Sequence, residues 1–146
     1  MGKVVKICIA DDHGKKMKSV KEVQAVAGKG LINDRHFRND NKNKNQITLI
    51  ENENIDYYNK ITGTSISQEN FRRNIVTQNI KLNDLVGKEF FIGDIKLKAH
   101  DLCRPCKYLQ ETLNQENTIK ELLLKGGLRC EILKDGKIII DDEIKL

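Results

Sequence analysis

Hydrophobic and polar positions alternate in short blocks along the chain, and this pattern predicts several short β-strands rather than long helices. The first strand is predicted at residues 4–9 and a second at 20–26, with a polar loop at 11–16 between them. Residues 39–45 are wholly polar and cannot bury one face, so we expect a solvated excursion there. A further strand is predicted at 46–50.

Helical spacing is visible in only a few places. Residues 51–62 carry Ile55, Tyr58 and Ile61 near helical spacing, and Gly63 follows as a natural stop. Two short helices are also predicted at 108–113 and 118–124, ended by the glycine pair at 126–127.

Two segments have the pattern of β-hairpins. In the first, Gly93-Asp94 separates residues 90–92 from the alternating arm 95–98. In the second, Asp135-Gly136 separates residues 129–134 from 137–140. Asp-Gly suits a turn in which both central residues have positive φ. Many short strands with few helices predict a mainly β fold, a closed or nearly closed antiparallel or mixed β-barrel with a few short peripheral helices.

The length and composition fit one ordinary domain over residues 1–146. The chain has 38% hydrophobic and 32% charged residues, with one Pro and ten Gly, which argues against collagen-like, disulfide-scaffold and disordered classes. No apolar run approaches the roughly 20 residues that a membrane-spanning helix needs. The amino terminus lacks the pattern of a secretory signal, so we expect a cytoplasmic protein in which the four cysteines are thiols or ligands.

The net charge of +5 is positive but modest. The lysines are spread along the chain without a continuous basic block, and aromatic residues make up 5% with no Trp. This argues against nucleic acid as a partner, because neither a concentrated basic patch nor a base-stacking platform is visible. A small phosphorylated ligand in a basic pocket is the interpretation that we favour.

The segment Cys103-Arg104-Pro105-Cys106 is the clearest candidate for chemistry. A CxxC pair is typical of half a zinc site, a redox dithiol or a reactive thiol with its neighbour, and two incidental thiols are the plain alternative. Arg104 and a following helix amino terminus would both stabilise a thiolate. The spacing alone leaves these interpretations open.

Two further segments contain groups suited to an anion. Gly28 and Gly30 form a tight turn before Asp34-Arg35-His36, for which a surface turn with an Asp–Arg pair is the simplest interpretation. The segment 71–77 begins Phe-Arg-Arg-Asn, where two arginines and an Asn could grip a phosphate or lie solvated on an edge strand.

Read in order, these segments resemble the MOSC domain, named for the carboxy-terminal part of molybdenum cofactor sulfurase. The matching pieces are Gly28 to His36, Gln46 to Leu49, Phe71 to Thr77, Leu82 to Gly87, Phe91 to Gly93, Cys103 to Cys106, and Gly126 to Arg129. One departure is Asn33 where the family pattern has Gly, but Asn tolerates positive φ better than most residues. Lys107 directly after Cys106 is a second departure.

The resemblance implies a β-barrel that binds the molybdenum cofactor (molybdopterin). In reductase members of the family a single cysteine binds molybdenum, and Cys106 is the matching position. The residues that the resemblance places at the cofactor are Arg35, His36, Arg72, Asn74 and a lysine of the first loop, Lys16 or Lys18.

Two functions are compatible with this resemblance. In the first, the chain is a binding or carrier domain in which Cys106 holds molybdenum or persulfide sulfur. In the second, it is a molybdenum-dependent oxidoreductase that reduces N-hydroxylated substrates. The chain carries neither the pyridoxal-phosphate desulfurase domain nor the extra domains of larger relatives, so we expect sulfur or electrons to come from a separate donor protein. A domain that has lost the cofactor and serves only as an interaction module is a third possibility.

Overall fold

The computed structural model describes residues 2–12, 15–39, 46–103 and 125–146. One helix, α1 (Asn52–Thr62), and two 3-10 turns at Gln68–Phe71 and Leu82–Leu85 accompany the strands. The strands are β1 (Gly2–Ile9), β2 (Lys18–Val20), β3 (Glu22–Val26), β4 (Gly30–Leu31), β5 (Ile47–Glu51), β6 (Ile75–Gln78), β7 (Glu89–Ile92), β8 (Ile95–Leu102), β9 (Leu128–Lys134), β10 (Gly136–Ile139) and β11 (Glu143–Lys145). The helices predicted at 108–113 and 118–124 lie outside the described residues, as do Cys106 and most of the polar stretch 39–45.

Seven strands close into a mixed β-barrel, which confirms the predicted fold class. They follow one another around the barrel in the order β1, β11, β7, β8, β9, β5, β6, and β6 pairs with β1 to close the ring. Only β5 and β6 are parallel neighbours within this ring; the other pairs are antiparallel. Strand β2 pairs with the last three residues of β1, and β10, β3 and β4 form a separate small sheet.

The barrel interior is filled by apolar side chains that alternate with outward-facing polar ones. On β8, Ile95, Leu97 and Ala99 are buried, while Lys96 and Lys98 between them are partly exposed. This alternation is what a barrel with a packed interior requires of each strand. The wider core contains Val4, Ile7, Leu31, Ile47, Leu49, Ile75, Phe90, Ile92, Leu128, Ile132 and Ile144.

Helix α1 makes the crossover that joins the parallel strands β5 and β6. Its inner face buries Ile55 and Tyr58, and the Tyr58 ring meets Phe71 edge to face with 5.5 Å between ring centroids. The helix ends at Gly63, whose φ of 67° lets its N–H bond to the carbonyl of Asn59. The helix predicted at 51–62 is therefore confirmed. No helix among the described residues is long and apolar enough to cross a membrane.

The first predicted hairpin is confirmed and the second is wrong. Gly93-Asp94 joins β7 to β8, with Ile92 opposite Ile95. Strands β9 and β10 do not pair with each other; β9 pairs with β5 and β8, and β10 with β3. The physical reason lies at Asp135, whose carboxylate accepts the N–H of Ala27 at 2.6 Å, so the turn is fastened to the end of β3. The strand predicted at 20–26 is likewise divided, since β2 belongs to the barrel sheet and β3 to the small sheet.

Gly127, just before β9, lies tightly against the backbone of β5. Its φ is 108°, and a Cβ at this position would lie 1.9 Å from the carbonyl oxygen of Leu49. Gly63 also has a left-handed φ, but a Cβ there would meet no atom within 4 Å. A side chain at Gly63 would therefore introduce backbone strain alone, whereas a side chain at Gly127 would introduce both backbone strain and a steric clash.

We expect Gly127→Ala to destabilise the fold by more than about 4 kcal/mol, because strained backbone and an atomic overlap add together. Gly63→Ala, the matched control, should cost only about 1 kcal/mol for the left-handed conformation. Urea unfolding of both variants measures this difference. Equal losses of stability in the two variants would show that β5 and β9 do not approach as closely as described.

Candidate functional site

Three segments that are distant in sequence meet around Arg35 and Arg72. The backbone N–H of Arg35 donates to the carbonyl of Ala10 at 2.8 Å. Its Nη2 donates to the carbonyl of Arg72 at 3.1 Å, and Nη1 of Arg72 donates to the carbonyl of Lys15 at 2.7 Å. The structure thus brings together two of the arginines that the sequence predicts at the site, and joins them to the loop that carries Lys16.

Asp34 anchors the turn that presents Arg35 and His36. Its side chain is fully buried, and Oδ1 accepts the N–H of Ala10 at 3.2 Å and lies 3.3 Å from Arg35 Nη1. Oδ2 accepts the backbone N–H of His36 at 3.3 Å and lies 3.5 Å from its ring Nδ1. The predicted Asp–Arg pair is present, but it is buried rather than on the surface.

The environment of Asp34 favours its charged form. Burial opposes ionisation, but the contact with His36, the Arg35 guanidinium and the N–H of Ala10 together hold the pKa of Asp34 below its ordinary value of 3.8. Asp34 is therefore a buried carboxylate that accepts several hydrogen bonds, and not half of a solvated surface pair as expected from the sequence. Just before it, Asn33 has a φ of 70°, so Asn fills the left-handed position as expected.

The guanidinium of Arg35 is enclosed by protein groups. Besides Asp34 and the Arg72 carbonyl, its Nη1 lies 3.0 Å from Sδ of Met17, which packs with Cys8 and Ala10. Arg35 is 9% exposed and Arg72 7% exposed. These two arginines hold the first loop, the turn and the segment before β6 in one arrangement.

Asn74 is fully buried at the start of β6. Its Oδ1 accepts the N–H of Thr48 at 3.0 Å, and its Nδ2 donates to the carbonyl of Cys8 at 3.1 Å. Its own N–H donates to Oγ1 of Thr48 at 3.0 Å. In the described structure this predicted site residue joins strands β1, β5 and β6. Lys16, in the first loop, and Lys18, the first residue of β2, are both exposed.

Arg73 lies at a different contact, where the chain around Cys103 meets Gly126. Its Nε donates to the carbonyl of Gly126 at 2.7 Å, and the N–H of Cys103 donates to the carbonyl of Gly127 at 2.8 Å. A Cβ on Gly126 would lie 2.7 Å from the Cys103 carbonyl oxygen, so only glycine fits there. The sequence predicts that Arg72 and Arg73 could both bind a phosphate. Nothing in the motif indicates that Arg72 contacts the first loop while Arg73 contacts Gly126.

The three described cysteines are buried thiols. Burial raises the pKa of Cys8 to about 11 and that of Cys130 well above its ordinary value. Burial also raises the pKa of Cys103, although the charges of Arg73 and Arg129 oppose it. All three are therefore neutral and poorly reactive near pH 7. In the part of the chain that the structure describes, no three His, Cys, Asp or Glu side chains are grouped to hold a metal.

A cleft of about 560 Å³ opens beside the turn, lined by Asp11, Ile32, Asn33, Asp34 and Phe37. Its size is in the range of small-molecule sites. The sequence offers no signal for this cleft, nor for the Met17 contact, because both depend on how distant segments fold together.

The chain is similar to one family model and to several solved protein structures. The family model described as MOSC domain matches residues 33–145. YuaD from Bacillus subtilis has a TM-score of 0.85 at 20% identity, covering 99% of this chain and 94% of that chain. YiiM from Geobacillus stearothermophilus has a TM-score of 0.79 at 15% identity, covering 100% and 75%. YiiM from Escherichia coli has a TM-score of 0.74 at 16% identity, covering 99% and 69%. Among curated proteins none matches.

We expect Asp34→Asn to lower the free energy of unfolding by about 3 kcal/mol at pH 7, because it leaves the buried Arg35 charge without its carboxylate. The folded pKa of Asp34 lies below 3.8, so its stabilising contribution is fully present above that pH and is lost as the pH falls through the folded value. Urea unfolding of both proteins at pH 7 and pH 3 checks this. A stability difference that stays constant or grows on acidification would contradict the buried ion pair.

Proposed function

The chain belongs to the MOSC domain family, and from this premise we propose that it is a molybdenum-cofactor-binding or sulfur-carrier domain in which Cys106 holds molybdenum or persulfide sulfur. The observation that carries the proposal is that Arg35, which pairs with the buried Asp34 carboxylate, also donates to the backbone carbonyl of Arg72, so the two motif arginines lie side by side. These are the residues that the family motifs put at the cofactor.

The chemistry of the donor set fits the cofactor. A pterin phosphate is an anion, and the described site combines two buried arginines with a half-buried Arg73 and an exposed Lys16. One buried carboxylate, Asp34, is already matched by Arg35 and backbone donors. The surplus charge of the site is positive, which favours a phosphate over a cationic ligand.

Different side chains would do different work in holding the cofactor. Arginine and lysine donors would bind and orient its phosphate, with His36 at the edge of the turn. Asn74 would keep the segment that carries Arg72 in place through its bonds to Thr48 and Cys8. When bound, the molybdenum centre supplies the oxygen-atom or sulfur chemistry that protein side chains lack.

The family resemblance implies Cys106 as the thiol, and the burial of the other cysteines supports this choice. Cys8, Cys103 and Cys130 are buried, and burial raises the pKa of each. A metal ligand or persulfide carrier reacts as thiolate, so an inert buried thiol cannot fill the role. In this proposal the sulfur or the electrons come from a separate donor protein.

We expect Cys106→Ala, purified from cells that make the cofactor, to retain less than about a tenth of the wild-type molybdenum or sulfane sulfur, because the thiolate is the attaching group. Elemental analysis by mass spectrometry measures molybdenum, and cyanolysis measures sulfane sulfur. Cys130→Ala is the matched control, since it removes a buried thiol of the barrel core and should keep the wild-type load. Equal loads in the two variants would refute the assignment to Cys106.

A further inference from the structure

We propose that Arg73 is the arginine whose free donors contact the bound anion, while Arg35 and Arg72 are positioning residues. This inference rests on the proposed function and deepens it. The family motif pairs Arg72 with Asn74, so Arg73 has no role in the resemblance. The ligand class is a phosphate or another tetrahedral oxyanion.

The donors of Arg35 and Arg72 are directed at the protein itself. Arg35 Nη1 faces Asp34 and Met17, and its Nη2 is bonded to the Arg72 carbonyl. Arg72 Nη1 is bonded to the carbonyl of Lys15 at 2.7 Å. A guanidinium that is over nine-tenths buried in such contacts can grip an anion only after giving up bonds that hold the site together.

Arg73 is half-buried, and its Nε is the only one of its nitrogens that donates a hydrogen bond to a described residue. That nitrogen donates to Gly126 at 2.7 Å, which fixes the plane of the guanidinium. Among the described residues, neither Nη1 nor Nη2 of Arg73 has a hydrogen-bonding partner. A guanidinium that is oriented through one nitrogen and open at two others offers the fork that a phosphate oxygen pair accepts.

The side chains of the adjacent residues Arg72 and Arg73 extend toward different parts of the protein. Arg72 has a φ of 61°, a left-handed conformation that is uncommon for a residue with a side chain. Arg72 therefore reaches Lys15 of the first loop, and Arg73 reaches Gly126 before β9. Nη2 of Arg73 passes close to the Gly126 backbone, since a Cβ built on Gly126 would lie 3.6 Å from it.

The surrounding charges leave Arg73 as an available cation. Arg129, which also acts on Cys103, is bonded by two nitrogens to the Asp101 carboxylate, so its charge is already matched. Arg73 has no carboxylate within ion-pairing distance among the described residues. Within the part of the chain that the structure describes, an incoming anion therefore meets an unmatched positive charge at Arg73.

The test is calorimetric titration of the folded chain with inorganic phosphate at low ionic strength. We expect Arg73→Gln to weaken phosphate binding by about tenfold or more, because a bidentate charged contact is lost. Lys137→Gln, the control for net charge, removes an exposed lysine of β10 and should change the dissociation constant by less than about twofold. Arg129→Gln should also stay within about twofold, because its guanidinium is held by Asp101.

Arg73→Lys keeps the charge but loses the planar fork, so an intermediate affinity is expected. It also serves as the deciding variant if Arg73→Gln fails to fold, which thermal melting will show. Wild-type affinity in the folded Arg73 variants, or no phosphate binding by the wild-type chain, would overturn the inference. So would an equal loss in Arg73→Gln and Lys137→Gln, since that would indicate unspecific charge attraction.

These results separate the inference from the proposed function. If wild-type protein carries molybdenum or sulfane sulfur while Arg73→Gln binds phosphate normally, the role of Arg73 is wrong and the function stands. If Arg73→Gln loses phosphate but the wild-type protein never carries either element, the anion site stands and the function is wrong.

Discussion

The buried amide of Asn74 is the contact on which both the barrel and the candidate site depend. It sits where β6 begins, between its parallel neighbour β5 and its antiparallel neighbour β1, and bonds to Thr48 on one side and Cys8 on the other. Each of these groups is buried, and leaving one unpaired costs about 1–3 kcal/mol. The start of β6 therefore has one position, and the two arginines that precede Asn74 are placed with it.

Because the start of β6 is fixed, the arginines near it contact different parts of the protein. Arg72 reaches toward the first loop, and Arg35 reaches back to Arg72 from a turn fixed by Asp34. The first loop, the turn at 34–36 and the segment before β6 thus support one another through these contacts. Arg73 instead donates from its Nε to the carbonyl of Gly126, and within the described residues its terminal nitrogens have no hydrogen-bonding partner. A rigid frame of buried arginines beside one less buried arginine would suit the anion site that we propose.

Short-range sequence patterns were sufficient to predict the barrel, but they did not predict every connection between its strands. The turn at Gly93 and the helix end at Gly63 are determined by short-range backbone requirements, and both predictions are confirmed. The turn at Asp135 has similar chemistry, yet its carboxylate bonds to Ala27, more than a hundred residues away, so the hairpin prediction is wrong. At the site, the motifs predicted Arg35 as a functional residue but not its burial. Its contacts include Met17 and the Arg72 carbonyl, which are distant in sequence.

We propose above all that this MOSC domain carries the molybdenum cofactor or sulfur on a thiolate, beside arginines that bind and position an anion. The most direct test is elemental and sulfane-sulfur analysis of the wild-type chain, purified from cells that make the cofactor. The account predicts molybdenum or sulfane sulfur close to one per chain. Zinc in that amount, or neither molybdenum nor sulfane sulfur, would contradict it.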